Sequence, residues 1–280
     1  MAIKFHTGIK EIIQSEKPIA TAWKLSHEHL ELGDKVKKLM EILEDHENLF
    51  ISYHPYHNHY HLAEVVWGSA YLAKQEKFED KYFETMVILL MGATFHDADH
   101  LGRTNKHPFE AEERSTKFFK SWWKNNSLFV ENIINMSPIY IEQAVTELIL
   151  FTDFTHGQSK VNLDYVNRKE SETIGLKLCK LKKILNEADF LMNCLPHYGF
   201  NKTGLILKES IRTATDEQKW KLLLGFLQQN GNELFTSDAA KELKLDVLVK
   251  KFTTYLASNQ DEMKNGLKLQ EEIDQKFKPF

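Results

Sequence analysis

The amino-acid sequence predicts an all-α protein. Only 12 glycines and 6 prolines occur in 280 residues, which is too few for a β fold rich in turns. Apolar residues instead recur every three or four positions along most of the chain, which is the period of a helix packed on one side. Because no internal repeat or long linker interrupts the pattern, we expect a single domain over residues 1–280, with a core at about 30–196 and a C-terminal helical part at 197–280.

The helical pattern is clearest in five segments, at residues 35–43, 83–95, 141–151, 176–191 and 220–227. The second segment is apolar almost all round, which is typical of a central buried helix. Glycine and proline predict breaks between helices at residues 102–108, 137–138, 157–159, 196–204 and 231–232. The last twenty residues are strongly charged, which is consistent with either an exposed helix or a frayed end.

Composition excludes several classes of protein. A net charge of −4 and a pI near 6.4 give no basic surface for nucleic acid or anionic membranes. The two cysteines, Cys179 and Cys194, indicate a reducing compartment rather than a disulfide framework. The N-terminus has no apolar signal segment, and no apolar run approaches the ~20 residues of a membrane span. We therefore expect a soluble, cytoplasmic protein.

Histidines and aspartates concentrate in two segments about thirty residues apart. The first contains His57 and His61, whose spacing of four would place both imidazoles on one face of a helix. The second contains the adjacent pair His96 and Asp97, which can reach one ion only at a helix end or kink. Imidazole and carboxylate groups are the ligands of hydrolytic metal centres, so the sequence predicts such a centre.

A further carboxylate is expected from a distant helix. Asp189 is the best candidate because it lies in an apolar helical stretch, where an unpaired carboxylate would be costly to bury. Asp153 has a similar context, but a structural role explains it equally well. Two divalent ions ~3.5–4 Å apart would generate hydroxide near neutral pH and clamp phosphoryl oxygens, while a nearby imidazole protonates the leaving group.

These segments resemble a known family. Residues 55–65, Pro-Tyr-His-Asn-His-Tyr-His-Leu-Ala-Glu-Val, are similar to the Pro-Tyr-His-Asn-x-x-His-Ala-x-Asp-Val pattern of class I cyclic-nucleotide phosphodiesterases, members of the HD superfamily of metal-dependent phosphohydrolases. Residues 96–102 resemble that family's His-Asp-x-x-His-Pro-Gly, residues 152–156 its Thr-Asp-Met-x-x-His, and residues 188–189 its later Ala-Asp. The resemblance implies a helical HD/phosphodiesterase-like catalytic domain.

The resemblance also implies a ligand set. His61, His96, Asp97 and Asp189 would hold the tighter metal ion, which is expected to be Zn²⁺. Asp97 would bridge to a second, looser ion, Mg²⁺ or Mn²⁺. The family's activity implies a small phosphate ester or nucleotide as substrate, and it leaves a homo-oligomer open.

Three residues would carry the chemistry by the same resemblance. His57 would be the general acid that protonates the leaving oxygen, and His100 would orient the bridging hydroxide. A glutamate after the His-Asp motif assists in the family. Residues 110–113 offer three glutamates, of which Glu110 aligns most naturally.

The sequence departs from the family pattern where the family reads the base. Residues 189–196 are respaced around the nucleotide-contacting Asn193, and no purine-clamping Gln-x-x-x-Phe follows residue 230. Gln228 or Gln229 would have to supply the missing contact. The candidate substrate-binding residues are therefore Tyr56, Asp153, His156, Asn193, Gln228 and Gln229.

Function is predicted at the level of a metal-dependent phosphodiesterase, with cyclic AMP or cyclic GMP as the first substrate to test. The missing purine clamp favours, as an alternative, an HD-type phosphohydrolase that acts on a nucleotide or another phosphomonoester. A third hypothesis is a di-iron HD-fold oxygenase, in which His100 and His156 would bind the second iron.

Overall fold

The computed structural model of the chain describes residues 2–76, 78, 82–134, 136–153, 172–210 and 213–277, with the backbone alone at residues 2, 3, 172–177 and 232. Within these ranges we number thirteen α-helices: α1 Ala2–Gln14, α2 Pro18–Leu30, α3 Lys37–Asp45, α4 His59–Ala73, α5 Tyr82–Phe95, α6 Glu110–Ile134, α7 Pro138–Phe151, α8 Glu172–Cys194, α9 Gly199–Ser210, α10 Asp216–Leu234, α11 Asp238–Glu242, α12 Leu245–Ser258 and α13 Gly266–Lys276. Short 3₁₀ turns lie at Asp34–Val36, Glu47–Phe50 and Gln260–Asn265. The described ranges contain no β-strand, so the predicted all-α class is confirmed.

The five predicted helical segments lie within or overlap α3, α5, α7, α8 and α10. Two predicted breaks differ from the structure. The break at 196–204 is shorter because α9 already begins at Gly199, and the break at 231–232 is absent because α10 continues to Leu234. A Cβ at Gly231 would lie 3.1 Å from Val249 Cγ1, so this glycine allows α10 and α12 to approach closely. The break at 157–159 lies outside the described residues.

Helices α4 and α5 form the centre of the molecule. Helix α4 packs against α1, α2, α5 and α8, and α5 packs against α6, α7 and α8. The α5 side chains from Thr85 to Phe95 are all buried, as its continuous apolar sequence predicts. One hydrophobic cluster extends from Phe5 to Phe277. Within the charged C-terminal segment, α13 is held by the buried side chains Leu269 and Ile273.

Local signals explain where the other helices begin. A capping box starts α10: the Thr215 side chain accepts from the Gln218 N–H, and the Gln218 side chain accepts from the Thr215 N–H. Helix α7 begins with Pro138 in its first turn, where the missing N–H costs nothing. Among the described helices, none has both the length and the apolar content needed to cross a bilayer.

Candidate metal centre and active site

Asn58 determines where α4 begins. Its Oδ1 accepts hydrogen bonds from the N–H groups of Tyr60 (2.9 Å) and His61 (3.3 Å), as an N-cap side chain does. Because Asn58 is the cap, His57 lies in the preceding loop and His61 lies in the first turn of α4. The expectation that His57 and His61 share a helix face is therefore wrong, although their ring centroids are only 5.9 Å apart.

The metal cluster, which we define as His61, His96, Asp97 and Asp189, brings together side chains from three parts of the chain. His61 comes from α4, Asp189 comes from α8, and the pair His96 and Asp97 directly follows the end of α5 at Phe95. One ligand atom from each of the four lies within 4.8 Å of the others. The helix end predicted for the His-Asp pair is present.

The distances within the metal cluster suit a single ion. His61 Nε2 lies 3.1 Å from Asp189 Oδ1 and 3.5 Å from Asp97 Oδ2. His96 Nε2 lies 3.4 Å from Asp97 Oδ2 and 3.5 Å from Asp189 Oδ1. Ligands at the usual Zn²⁺ bond lengths in a tetrahedron are about 3.4 Å apart. The arrangement therefore has the dimensions of a tetrahedral ligand set.

The ring orientation of His96 supports the same conclusion. Its Nδ1 donates to the carbonyl oxygen of Ala93 at 2.8 Å, which directs Nε2 into the cluster, where it would bind a metal ion in place of a proton. That Nε2 lies 3.4 Å from Nε2 of His61. Two imidazole nitrogens and two carboxylates aimed at one point form a donor set that a cation satisfies.

Electrostatics within the cluster strongly favour ionised carboxylates. Burial would raise the pKa of Asp189, but hydrogen bonds to His61 and His96 outweigh it and lower the pKa to about 2. Burial likewise opposes a charge on His61, yet its hydrogen bonds to Asp189 and Asp97 raise its pKa to about 9. The buried carboxylates thus require a nearby positive charge, which a metal ion supplies when it is bound.

His57 is held beside the metal cluster by a partner that the sequence analysis missed. Its Nδ1 donates to Glu209 Oε2 at 2.6 Å, and Glu209 Oε1 accepts from the N–H groups of Tyr56 (2.7 Å) and His57 (2.8 Å). The ring's other nitrogen, Nε2, lies 3.9 Å from Asp97 Oδ2. Glu209 thereby fixes both the tautomer and the orientation of the imidazole.

Comparison with known proteins agrees with this geometry. The family model described as 3'5'-cyclic nucleotide phosphodiesterase matches residues 56–121. The high affinity cAMP-specific and IBMX-insensitive 3',5'-cyclic phosphodiesterase 8A of Mus musculus is 42% identical over 62 residues, or 21% of this chain. Its Homo sapiens counterpart is 42% identical over 59 residues, or 19% of this chain. Each match spans only 7% of the relative's length.

Solved structures extend the similarity to most of the chain. The structure of LmjPDEB1 in complex with IBMX has a TM-score of 0.59 at 14% identity and covers 93% of this chain and 91% of its own. The phosphodiesterase domain of Salpingoeca rosetta rhodopsin phosphodiesterase has a TM-score of 0.55 at 18% identity, covering 94% and 92%. The resemblance to class I cyclic-nucleotide phosphodiesterase domains is confirmed. The fold is that of these phosphodiesterase domains, and the matched segment contains His57, His61, His96 and Asp97.

Glu209 reaches this site from α9, which packs against α8 and α10. Lys202 of α9 also forms an ion pair with Glu64, which is 2% exposed on α4. Lys202 and Glu209 are seven residues apart, so they lie on the same face of α9. The sequence contains no specific signal for Glu209. An acidic residue seven positions after a lysine, as Glu209 is after Lys202, is too common to predict a contact with His57.

His100 stacks on His57 with ring centroids 3.5 Å apart and an angle of 23° between the planes. Its Nδ1 accepts from the Gly102 N–H at 3.0 Å, and burial lowers its pKa to about 4. His57, His100 and Glu209 also have ligand atoms within 4.8 Å of one another. A metal bound by an imidazole lies near the plane of its ring, which two stacked rings cannot share, so we interpret this trio as a support for His57.

A cavity of about 490 Å³ opens beside His57 and His100. One wall is formed by residues 102–108 of the segment between α5 and α6. We call residues 102–110, from this wall to the first residue of α6, the cavity loop. Glu112 and Asp153 also line this space. The volume is within the range of small-molecule sites, about 300–1,000 Å³, and its position next to His57 makes it the candidate substrate site.

Glu110, predicted to assist catalysis, lies elsewhere. Both of its carboxylate oxygens bind the Arg103 guanidinium, at 2.5 and 3.0 Å, and the paired Arg103 lowers the pKa of Glu110 to about 2. Glu112, two residues later, lines the cavity instead. Burial, together with Asp97 and Asp153, raises the pKa of Glu112 to about 7. Of the two glutamates, Glu112 and not Glu110 therefore lies at the candidate substrate site.

Asp153, a predicted substrate contact, lines the cavity and also supports the cavity loop. Its Oδ2 accepts from the Phe109 N–H at 2.8 Å. Phe109 has a φ of 62°, a left-handed conformation that costs a residue with a side chain about 1 kcal/mol or more. The hydrogen bond to Asp153 offsets part of that cost. Asp153 therefore has a structural role, which the sequence analysis had left open beside substrate binding. His156 lies outside the described residues.

Tyr56 and Asn193 were predicted to contact substrate, but both are buried at 5–6% exposure. The Asn193 Nδ2 donates to the Tyr56 hydroxyl at 2.8 Å, and the Tyr56 ring lies 4.5 Å from that of His61. Neither residue lines the cavity. The structure thus gives them a supporting position behind the histidines, because Asn193 is one helical turn beyond Asp189 and points into the core.

Gln228 and Gln229, suggested as replacements for the purine-binding glutamine, lie on exposed positions of α10. Neither belongs to the residues that line the cavity. The prediction that one of them reads the base therefore has no support from the described structure.

Proposed function

We propose that the protein is a metal-dependent phosphodiesterase that hydrolyses a cyclic nucleotide or a related phosphodiester. The observation that carries the proposal is the metal cluster with His57 beside it, both of which lie within the family-matched segment or in contact with it. The family match and the phosphodiesterase fold support cyclic nucleotides as the substrates to test first. The metal cluster and the family match also support dependence of the activity on metal ions.

The geometry supports one set of residues that would hold the metals. His61, His96, Asp97 and Asp189 would hold the tighter ion, for which the imidazole and carboxylate ligands fit Zn²⁺. Asp97 would extend to a second ion, Mg²⁺ or Mn²⁺, which prefers oxygen ligands. The bound ions would activate water and neutralise charge on the phosphoryl oxygens.

The remaining chemistry belongs to the chain's own side chains. Glu209 accepts a hydrogen bond from Nδ1–H of His57, which leaves Nε2 on the side of the ring facing Asp97. From there His57 would donate its Nε2 proton to the leaving oxygen as general acid. Glu209 would stabilise the imidazolium before the transfer, and His100 would keep the ring in place by stacking.

The direct test is hydrolysis by purified protein supplied with Mn²⁺, Mg²⁺ or Zn²⁺. The panel should contain cyclic AMP, cyclic GMP, a cyclic dinucleotide, bis(p-nitrophenyl) phosphate and p-nitrophenyl phosphate. The proposal predicts turnover of one or more diesters that depends on added metal and is abolished in Asp97→Ala. Turnover of p-nitrophenyl phosphate alone would contradict it.

A phosphomonoesterase is the second candidate because of one observation. Among the described residues that line the cavity, only Pro108 and Ile206 have aliphatic side chains. A flat purine is normally held by apolar or aromatic surface. A wall with so few aliphatic side chains would also suit a phosphate ester without a base, and the monoester in the same panel tests this.

A further inference from the structure

The cavity loop has a fixed shape. Glu110 binds both terminal nitrogens of Arg103 and also accepts from the Lys106 N–H at 2.7 Å. Asn105 bridges to α6, because its Oδ1 accepts from the Ala111 N–H at 3.1 Å and its Nδ2 donates to Glu112 at 3.0 Å. The loop is thus organised by its own side chains, which reduces the entropy lost when it binds a ligand.

Most charges along the cavity are already paired within the protein. Arg103 is neutralised by Glu110, and Glu209 is occupied by His57. Glu112 accepts a hydrogen bond from the Asn105 side-chain amide, and Asp153 accepts one from the Phe109 N–H. These groups have partners of their own and are poorly placed to compete for a charged ligand.

Lys106 differs from these groups. It is an exposed residue of the cavity loop and lines the same cavity as His57 and His100. Glu110 pairs with Arg103, and within the described part of the chain the ammonium group of Lys106 forms no ion pair. A cation on the wall of a concave polar site attracts anions and orients them.

We propose that the cavity loop is the specificity wall of the site and that Lys106 selects substrates with a second phosphate beyond the scissile phosphodiester. The inference rests on the proposed phosphodiesterase function and adds a substrate class to it. A cyclic dinucleotide has this chemistry because it carries two phosphodiesters. One would be cleaved beside His57, while the other would lie against the cavity loop, which lines the same cavity. A cyclic mononucleotide has no second phosphate to offer.

The test compares cyclic di-AMP with cyclic AMP in metal-loaded wild type, Lys106→Gln, Lys106→Arg and Lys250→Gln. Lys250 is exposed on α12 and lines a different surface groove, so its variant removes the same charge away from the cavity. We expect wild type to favour cyclic di-AMP in kcat/KM. Lys106→Gln should reduce that preference about fivefold, the upper range for one exposed charge pair, through KM rather than kcat.

Lys106→Arg should restore most of the preference, and Lys250→Gln should leave it unchanged. The KM for cyclic di-AMP should also rise with salt in wild type more than in Lys106→Gln, because exposed charges are screened. Equal effects of Lys106→Gln on both substrates, or no effect on either, would overturn the inference about Lys106. In that case, turnover of these diesters by wild type would still support the phosphodiesterase proposal. A wild type that hydrolyses neither substrate with any of the three metals would overturn both.

Discussion

The metal cluster and the cavity loop border the same site but are built differently. The metal cluster is placed by three helices, and its histidines are 0–2% exposed. The cavity loop is an irregular segment held by its own polar side chains, with Lys106 and His107 exposed. A buried cluster on packed helices can hold fixed ligand distances, whereas a surface loop can change its side chains without disturbing the core. The difference suggests that chemistry resides in the first region and substrate choice in the second.

The largest expected effect is the loss of a cluster carboxylate. Asp97→Ala should lose bound metal and reduce kcat/KM by on the order of 10³-fold or more, since the bound ions supply several kcal/mol of transition-state stabilisation. Thermal stability in the presence of metal should fall as well. Metal analysis, kinetics and melting curves check this, with Asp261→Ala at an exposed remote position as the control. Full metal content and rate in Asp97→Ala would refute the ligand assignment.

The next effect separates chemistry from metal binding. His57→Asn should keep the metal but lose about 10²–10⁴-fold in turnover, as expected for a missing general acid. The loss should be smallest on bis(p-nitrophenyl) phosphate, whose leaving group needs no protonation. Comparing that ester with cyclic AMP measures the role. An equal loss on both substrates would count against proton donation by His57.

A smaller effect is expected at Glu209. In Glu209→Gln the amide oxygen can still accept from the backbone N–H groups of Tyr56 and His57, while the amide nitrogen faces the His57 ring as a donor. The favoured tautomer of His57 should therefore change, and kcat should fall about 10–100-fold with KM and metal content nearly unchanged. A kcat in Glu209→Gln equal to that of wild type would show that His57 needs no carboxylate partner.

The smallest expected effect lies outside the site and should spare activity. The His29 ring stacks on that of Tyr71. Burial lowers the pKa of His29 to about 4. The unfolded value is about 6.5, so the unfolded state binds more protons between these values. Stability from neutral His29 is thus complete above about pH 6.5 and is lost as the pH falls towards 4.

Between pH 7 and pH 5, the unfolding free energy of wild type should therefore fall by about 1 kcal/mol more than that of His29→Phe. Denaturant unfolding at both pH values measures the difference, and the rate of diester hydrolysis at pH 7, if the proposed function holds, should be unchanged. Parallel losses in wild type and variant would show that His29 is not the acid-sensitive group. A fall in activity at pH 7 would indicate that α2 influences the site.

The contrast between the two regions also explains what the sequence could predict. His61, His96 and Asp97 lie in short local motifs, and Asp189 is conspicuous as a carboxylate in an apolar helix, so the ligand set could be proposed before the fold was known. The all-α class followed from the same periodicity. Whether these four residues bind metal is still a prediction.

Other contacts depend on tertiary structure that local patterns do not encode. Glu209 meets His57 because α9 packs against α8 and α10 and is tied to α4 by the Lys202–Glu64 ion pair. The alignment chose Glu110, but Arg103 lies close enough to bind it and Glu112 faces the cavity instead. Asn193 was predicted to contact substrate, yet its position on α8 turns it towards Tyr56. In each case the identity of the spatial neighbour decides the role.

The most direct test of the central claim is metal reconstitution. The protein should be stripped with a chelator and then titrated with Zn²⁺ followed by Mn²⁺ or Mg²⁺, while hydrolysis of cyclic AMP and bis(p-nitrophenyl) phosphate is followed. The proposal predicts no turnover in the stripped protein and recovery that saturates at two ions per chain. Undiminished turnover without metal, or no diester hydrolysis after reloading with any of the three ions, would contradict it.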